Sequence, residues 1–480
     1  MPVRLLLVLL LGVALAPASY AQADLSPAKQ AAIASVEAQA DVLIALSDSI
    51  WSYAELAFQE QRSAEGLADL ARANGFRVTM GVAETPTAFV AEYGSGAPII
   101  GILGEFDALP GLSQQTVPTK TPRVEGGSGH GCGHNLFGVG SLGAAIAVKD
   151  LIEDGTLQGT IRFYGTPAEE RFFGKLWMIR AGLFDDVDVM MDWHPSAETK
   201  AAVQSSLALV DFVVEFRGAT SHASADPWRG RSATDALELY TTGINYLREH
   251  VEPSVRMHYH IQEAGEAVNI VPDYARIWTR IRDNKRAGMQ AVWDRVERIA
   301  EGAALMTDTE HTITLVSGIH EIVVNRTGGA RLQANLDALG ELTYTEEEQA
   351  FARTLQAELG QPPVGMAAPL TPLEVTLVNP GGGSTDAGDV SFVVPTIRLA
   401  GAVAPAGTPW HSWAVVAYSG MSIGHKGMVY SAKAMAMTMV DLFQDEALRD
   451  AVKAEHAERV GDYEYNGIVP AGPPPLNTRF

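Results

Sequence analysis

Cysteine occurs once in this chain, as Cys132 in the stretch GSGHGCGHNLFGVG, and His134 stands two residues beyond it. In an extended or turning segment residues i and i+2 share a side, so the thiolate and the imidazole would aim at a common point. Gly131 and Gly133 leave the backbone free to bend tightly there. Such a pair suits a transition-metal ion; a glycine-rich turn around a buried free thiol explains it equally well. Three further fragments strand ligand types at the ends of apolar runs: GTPAEE carries Glu169 and Glu170, VDVMMDWHP carries His194, and GTPWHSW carries His411 between tryptophans. Taken singly, each has a plainer reading as a solvated glutamate or a satisfied core histidine. Together they supply one thiolate, three imidazoles and two carboxylates. That is more than one four-coordinate ion uses, which points to two metal ions.

The elements that must hold these residues alternate. Pro27 to Ser49, with Ser26 as N-cap and Pro27 in the first helical position, is expected as one helix, and Gln61 to Asn74 as another. IIGILGEFDALPG and GTIRFYGTPAEE are apolar runs ending in polar residues, as parallel strands read when they deliver side chains to a site. GSLGAAIAVKDLIEDG, after the cysteine, has helical spacing and small residues that allow close packing on a sheet. The expected fold class is α/β, with a mixed twisted sheet. Between residues 206 and 322 the pattern becomes strand LALVDFVVEFRG, helix ATDALELYTTGINYLREH, strands VRMHYHIQEAG and ARIWTRIRD, helix MQAVWDRVERIAEGAALM and strand HTITLVSGIHEI. That order is βαββαβ, a ferredoxin-like unit inserted between residues 22–205 and 323–480 of a first domain. GQPPVGMAAPLTPLEV and the tail PAGPPPLNTRF are irregular by composition.

At 480 residues and 47% hydrophobic, the chain can bury large cores. Its 57 acidic and 35 basic residues give a net charge of −22, which would repel nucleic acid and anionic membrane surfaces. The first 21 residues read as a secretory signal peptide: Arg4 precedes the apolar run LLLVLLLGVALA, and Pro17 and Ser19-Tyr20-Ala21 follow. A single N-terminal anchor is the rival reading, and the run is short for one. The expectation is a secreted or periplasmic protein with no membrane association once the segment is removed. There, a lone cysteine has no internal disulfide partner and needs another reason to persist.

The motifs GEFDALPGLSQ, GHGCGHN, PAEE, WHP, GATSHAS, NIVPDYARIWTRIRD and GGGSTDAGDVS occur in an order that resembles the M20 metallopeptidases. The likeness is to the amidohydrolase branch, nearest in wording to the aminobenzoyl-glutamate hydrolase B-subunit type, and it spans nearly the whole mature chain. Two positions depart from that branch, with Asn135 and Glu105 where many members have Asp. The resemblance implies metal ligands Cys132, His134, Glu170, His194 and His411, with Glu169 as the general base toward a metal-activated water. It implies that residues 206–322 form a lid or dimerisation domain, whose His222 and Asn269 meet the substrate carbonyl and its developing oxyanion, often across a dimer. Arg282 falls at a position associated with substrate carboxylate; a solvated salt-bridge partner is its alternative. GGGSTDAGDV offers backbone N–H groups to a carboxylate, or is a simple turn.

Thiolate and imidazole ligands suit zinc, with manganese or cobalt as substitutes. His130, Asp107 and Asp389 are expected at most behind the ligands. His250, His258, His260, His311, His320, His425 and His456 match no ligand pattern. The expected activity is hydrolysis of the amide bond of small N-acyl or N-aroyl amino acids by a homodimer or larger homo-oligomer. A dipeptidase or carboxypeptidase on the same fold, and a catalytically silent metal-binding relative, are the alternatives. Retention of both Glu169 and Glu170 favours an enzyme.

Overall fold

The computed structural model of the chain describes residues 25–367, 369–373 and 382–476. The expected signal segment, residues 368 and 374–375 of the Pro-rich loop, Gly381 at the start of GGGSTDAGDV and the last four residues of the tail lie outside the described residues.

Two sheets organise the described residues. The first has seven strands in the order β1-β2-β4-β3-β5-β11-β6: β1 (Arg77–Met80), β2 (Phe89–Gly94), β3 (Ile99–Gly104), β4 (Thr160–Gly165), β5 (Val189–Ser196), β6 (Lys200–Ala201) and β11 (Thr396–Ala402). β4, β3, β5 and β11 run parallel at its centre. Helices cover this sheet, so its central strands are nearly continuous apolar runs. The helices of this part are α1 (Pro27–Ala38), α2 (Ala40–Tyr53), α3 (Gln61–Ala73), α4 (His134–Glu153), α5 (Lys175–Arg180), α8 (Arg326–Leu339), α9 (Glu346–Glu358), α10 (Ala387–Val393), α11 (Trp413–Ser419), α12 (Ser422–Gln444) and α13 (Glu446–Val460). α4 is buried along most of its length, and Gly138 lets it press against the end of β3, since a Cβ there would stand 2.6 Å from the Glu105 carbonyl oxygen.

The second sheet is antiparallel, in the order β10-β7-β9-β8, from β7 (Ala208–Arg217), β8 (Arg256–Glu263), β9 (Tyr274–Asp283) and β10 (Glu310–Ile319). With α6 (Ala233–Leu247) and α7 (Arg286–Thr307) the chain order is the βαββαβ expected from the sequence. Val210, Phe212, Val214, Ile277 and Ile281 pack with residues of both helices into a separate core.

Local differences from the sequence expectation have physical causes. The single helix expected over Pro27 to Ser49 is two helices, broken at Gln39. The Gln39 side-chain amide donates to the Ser35 carbonyl, the acceptor its own N–H would use in a continuous helix, and that N–H bonds Val36 O instead. The helix after Cys132 begins at His134 itself, not near Gly140, because Gly133 takes a positive φ of 80° and turns the chain straight into the helix.

Candidate metal centre

β3, β4 and β5 end side by side, and the segments leaving them converge. Cys132, His134 and His194 place ligand atoms within 4.8 Å of one another, and so do Cys132, Glu170 and His411. Cys132 belongs to both groups. A third group, Glu105, His134 and Glu169, overlaps the first through His134. The structure therefore assembles every residue singled out from the sequence as a candidate ligand or base.

Hydrogen bonds behind the cluster hold the rings of His134 and His194 and the backbone of Glu170 and His411. His134 Nδ1 faces Asp107 Oδ1 at 2.9 Å, so this nitrogen carries the proton and Nε2 is left to face the cluster. The other Asp107 oxygen accepts the Glu170 N–H at 2.9 Å. His194 Nδ1 donates to the Pro195 carbonyl at 2.7 Å, and its Nε2 stands 3.4 Å from Cys132 Sγ. His411 has a positive φ of 53°, and its N–H bonds the Gly131 carbonyl, which ties its loop to that of Cys132.

Glu169 and Glu170 do not lie on an extended strand end, as the sequence suggested. β4 stops at Gly165, and the pair sits in a turn in which Ala168 has φ 61° and its carbonyl accepts from Phe172 and Phe173. From that turn Glu170 joins Cys132 and His411, and Glu169 joins Glu105 and His134. Glu60 fixes the turn by accepting the Ala168 N–H.

The donor set fits divalent metal ions. Glu105 Oε2 and His134 Nε2 face each other at 3.2 Å, and Glu170 Oε1 is buried with no hydrogen-bond partner among the described residues, a costly arrangement that a cation among them would relieve. Burial, then Glu170, push the Cys132 thiol well up. Burial, then Glu105 and Glu170, do the same to Glu169, and Glu170 rises to about 7. Burial and His134 hold His194 down at about 4, so it is a neutral imidazole with a lone pair to give. Burial and mutual repulsion thus disfavour ionising these acids together unless positive charge joins them.

One protein cation does enter, and the sequence reading missed it. Lys175 at the start of α5 is fully buried, and its Nζ donates to Glu105 Oε1 and Asp386 Oδ1, each at 2.6 Å. Its backbone N–H donates to the second Asp386 oxygen at 3.0 Å. Asp386, Glu105 and Glu169 hold this ammonium in its charged form against its burial. The signal was a lone lysine in the apolar run FFGKLWMI, because an unpaired buried lysine is not tolerated.

A cleft of about 830 Å³ opens over the cluster, lined by Cys132, Glu169, Glu170, His194 and His411 and, from the second sheet, by Arg282. Arg282 is half-buried, and among the described residues its Nε has no hydrogen-bond partner. Gly382 to Thr385 also line the cleft. His222 and Asn269 do not. They are exposed neighbours on the second sheet's loops, where the Ala223 N–H bonds the Asn269 carbonyl. Asn135 turns away to Ser47 and the Ser419 carbonyl, and Asp389 pairs with His320 outside the cluster. His130 is buried against the Ile50 carbonyl.

A mixed sheet delivering thiolate, imidazole and carboxylate side chains into one cleft is the architecture of a metallohydrolase. The model of Peptidase family M20/M25/M40 matches residues 101–462, and the chain belongs to this family of hydrolases acting on amide bonds. It is 38% identical over 471 residues to the B-type subunit of the p-aminobenzoyl-glutamate hydrolase of Escherichia coli (strain K12), covering 92% of this chain and 98% of that protein. It is 30% identical over 457 residues to the Xaa-Arg dipeptidase of Mus musculus, covering 92% and 94%. Among solved structures, an aminobenzoyl-glutamate utilization protein from Klebsiella pneumoniae shares the fold at TM-score 0.60 and 18% identity, over 85% of this chain and 98% of that one. A dinuclear metal binding M20 peptidase of Bacillus subtilis does so at TM-score 0.56 and 18% identity, over 85% and 99%.

Proposed function

We propose that this chain is an exported amidohydrolase that binds two divalent ions, zinc or manganese, and releases the amino acid from N-acyl or N-aroyl amino acids. The observation that carries this reading is Cys132, shared by two ligand groups with Glu169 beside them. Cys132, His134 and His194 would hold one ion; Cys132, Glu170 and His411 the other. The ions, when bound, would supply Lewis acidity to the amide carbonyl and acidify water.

The chain's own residues do the rest. Glu169 is buried next to the cluster without being needed as a ligand, and it is the base that takes a proton from water and passes it to the departing nitrogen. Asp107 fixes the His134 tautomer and the Glu170 backbone together. Arg282 meets the carboxylate of the amino-acid part. His222 and Asn269, outside this chain's own cleft, serve the carbonyl oxygen of a neighbouring copy in a homodimer.

The mouse relative's name raises a dipeptidase as second reading. An arginine side chain in the cleft would meet the unpaired Arg282, and this repulsion favours acidic over basic amino-acid parts. The test is a panel of aroyl-amino acids, acyl-amino acids and dipeptides on protein stripped of metal and reloaded. Release of aminobenzoate from p-aminobenzoyl-glutamate, lost on chelation and restored by metal, supports the proposal. Cleavage of dipeptides alone would replace it with the second reading.

A further inference from the structure

The four-stranded sheet carries its helices on one face. Along β9, buried Ala275, Ile277, Thr279 and Ile281 turn to that side and alternate with half-buried Arg276, Trp278, Arg280 and Arg282 on the other. The register of β8 puts Arg256 opposite Arg282 and His258 opposite Arg280. Residues paired across antiparallel strands share a face, with Cα atoms about 5 Å apart. The end of this face bearing Arg282 is the end at the metal centre: Leu209, its partner on β7, packs with Phe172 and Phe173 just beyond Glu170.

Charge there is one-sided, in a chain whose net charge is −22. Asp211 is the acid among these rows and is taken by Arg280, at 2.7 Å from its Nε. Among the described residues Arg256 donates to the carbonyls of Pro253 and Val255, and Arg248 to the Asn245 side chain. Arg282 has a buried Nε with no partner. His258 lies opposite Arg280, two residues along β8 from Arg256 and so beside the Arg256–Arg282 row; burial, then Arg282, Arg248, Arg280 and Arg256 in turn, push its pKa down. With Asp211 occupied by Arg280, the remaining cations beside the cleft lower in energy when an anion joins them.

We propose that Arg256, with His258 and Arg248 behind it, forms a second carboxylate subsite next to Arg282, and that the pair selects amino-acid parts carrying two carboxylates. This rests on the amidohydrolase reading and adds the substrate class to it. Arg282 takes the carboxylate nearer the scissile amide. Arg256 is exposed and long enough to swing from its two carbonyls onto the other. The two carboxylates of glutamate, separated by a three-carbon chain, match two arginines about 5 Å apart at their Cα atoms.

The test compares p-aminobenzoyl-glutamate with p-aminobenzoyl-glutamine, which differ only in the second carboxylate, on metal-loaded protein. Wild type should prefer the glutamate compound in kcat/KM by roughly tenfold or more, mostly through KM, and less so at high salt. In Arg256→Ala the preference should fall toward unity, and Arg256→Lys should keep part of it. A wild type that does not discriminate, or an Arg256→Ala protein that keeps the full preference, overturns the subsite. If neither compound is cleaved, the amidohydrolase reading fails separately, and calorimetry then decides for the subsite. Free glutamate binding more tightly than glutamine in wild type but not in Arg256→Ala supports it; equal binding overturns it.

Discussion

Replacing Lys175 by Met tests whether the cluster's charge is balanced as described. The substitution keeps most of the side-chain volume and deletes the ammonium that donates to both Glu105 and Asp386 at 2.6 Å in a fully buried setting. Removing one partner of a buried ion pair costs about 3–5 kcal/mol, because the remaining charge is left uncompensated. Here two carboxylates are left, with Glu169 close by, so the upper half of that range is expected for metal-free protein. At about 2–4 °C per kcal/mol for a large domain, the melting temperature should fall by about 8–20 °C. Bound divalent ions bring positive charge to the same carboxylates, so zinc or manganese should recover a larger share of stability in the variant than in wild type. The assay is thermal unfolding of both proteins with chelator and with each metal. A variant melting within about 2 °C of wild type in chelator would refute the reasoning, because it would mean that Glu105 and Asp386 need no counter-charge.

Three other experiments probe separate parts of the site. Cys132→Ser should weaken binding of both ions, by more than the roughly 10–100-fold that loss of an outer partner costs, since the thiolate belongs to both groups; elemental analysis after dialysis reads this directly, and unchanged stoichiometry would return Cys132 to a packing role. Gly174→Ala would set a Cβ 2.1 Å from the Pro167 carbonyl oxygen and so displace the turn that carries Glu169 and Glu170. A shift of about 1 Å there should lower kcat about 10²-fold with every chemical group still present; an unchanged kcat would show that the turn's position is not critical. Mixing inactive Glu169→Gln with inactive His222→Ala protein should restore part of the activity wherever subunits exchange, and no recovery despite proven exchange would remove His222 from the neighbouring site.

What could be read from the sequence depended on whether the cause was local. The alternation of YARIWTRIRD is a period-two pattern fixed by burial of one sheet face, and β9 follows it from Tyr274 to Asp283. Cys132, His194 and His411 were visible because ligand types at the ends of apolar runs are chemically conspicuous. The break at Gln39 was not, because the apolar spacing of Ala28, Ala32, Val36, Leu43 and Ile50 continues through it and only a side-chain hydrogen bond interrupts the helix. Lys175 was not either: its partners lie 70 residues before and 211 residues after it, and only the folded sheet brings them together. The turn at Ala168 escaped for a related reason, since a positive φ at a non-glycine residue is imposed by its surroundings, here the carboxylate of Glu60.

The claim on which the functional account turns is that Glu169 moves the proton without holding the metal. Its most direct test is the Glu169→Gln protein, with metal content and the rate of p-aminobenzoyl-glutamate hydrolysis measured on the same sample. The account predicts wild-type metal stoichiometry with turnover reduced by about 10² to 10⁴. Turnover within a few fold of wild type, or loss of metal along with activity, would contradict it.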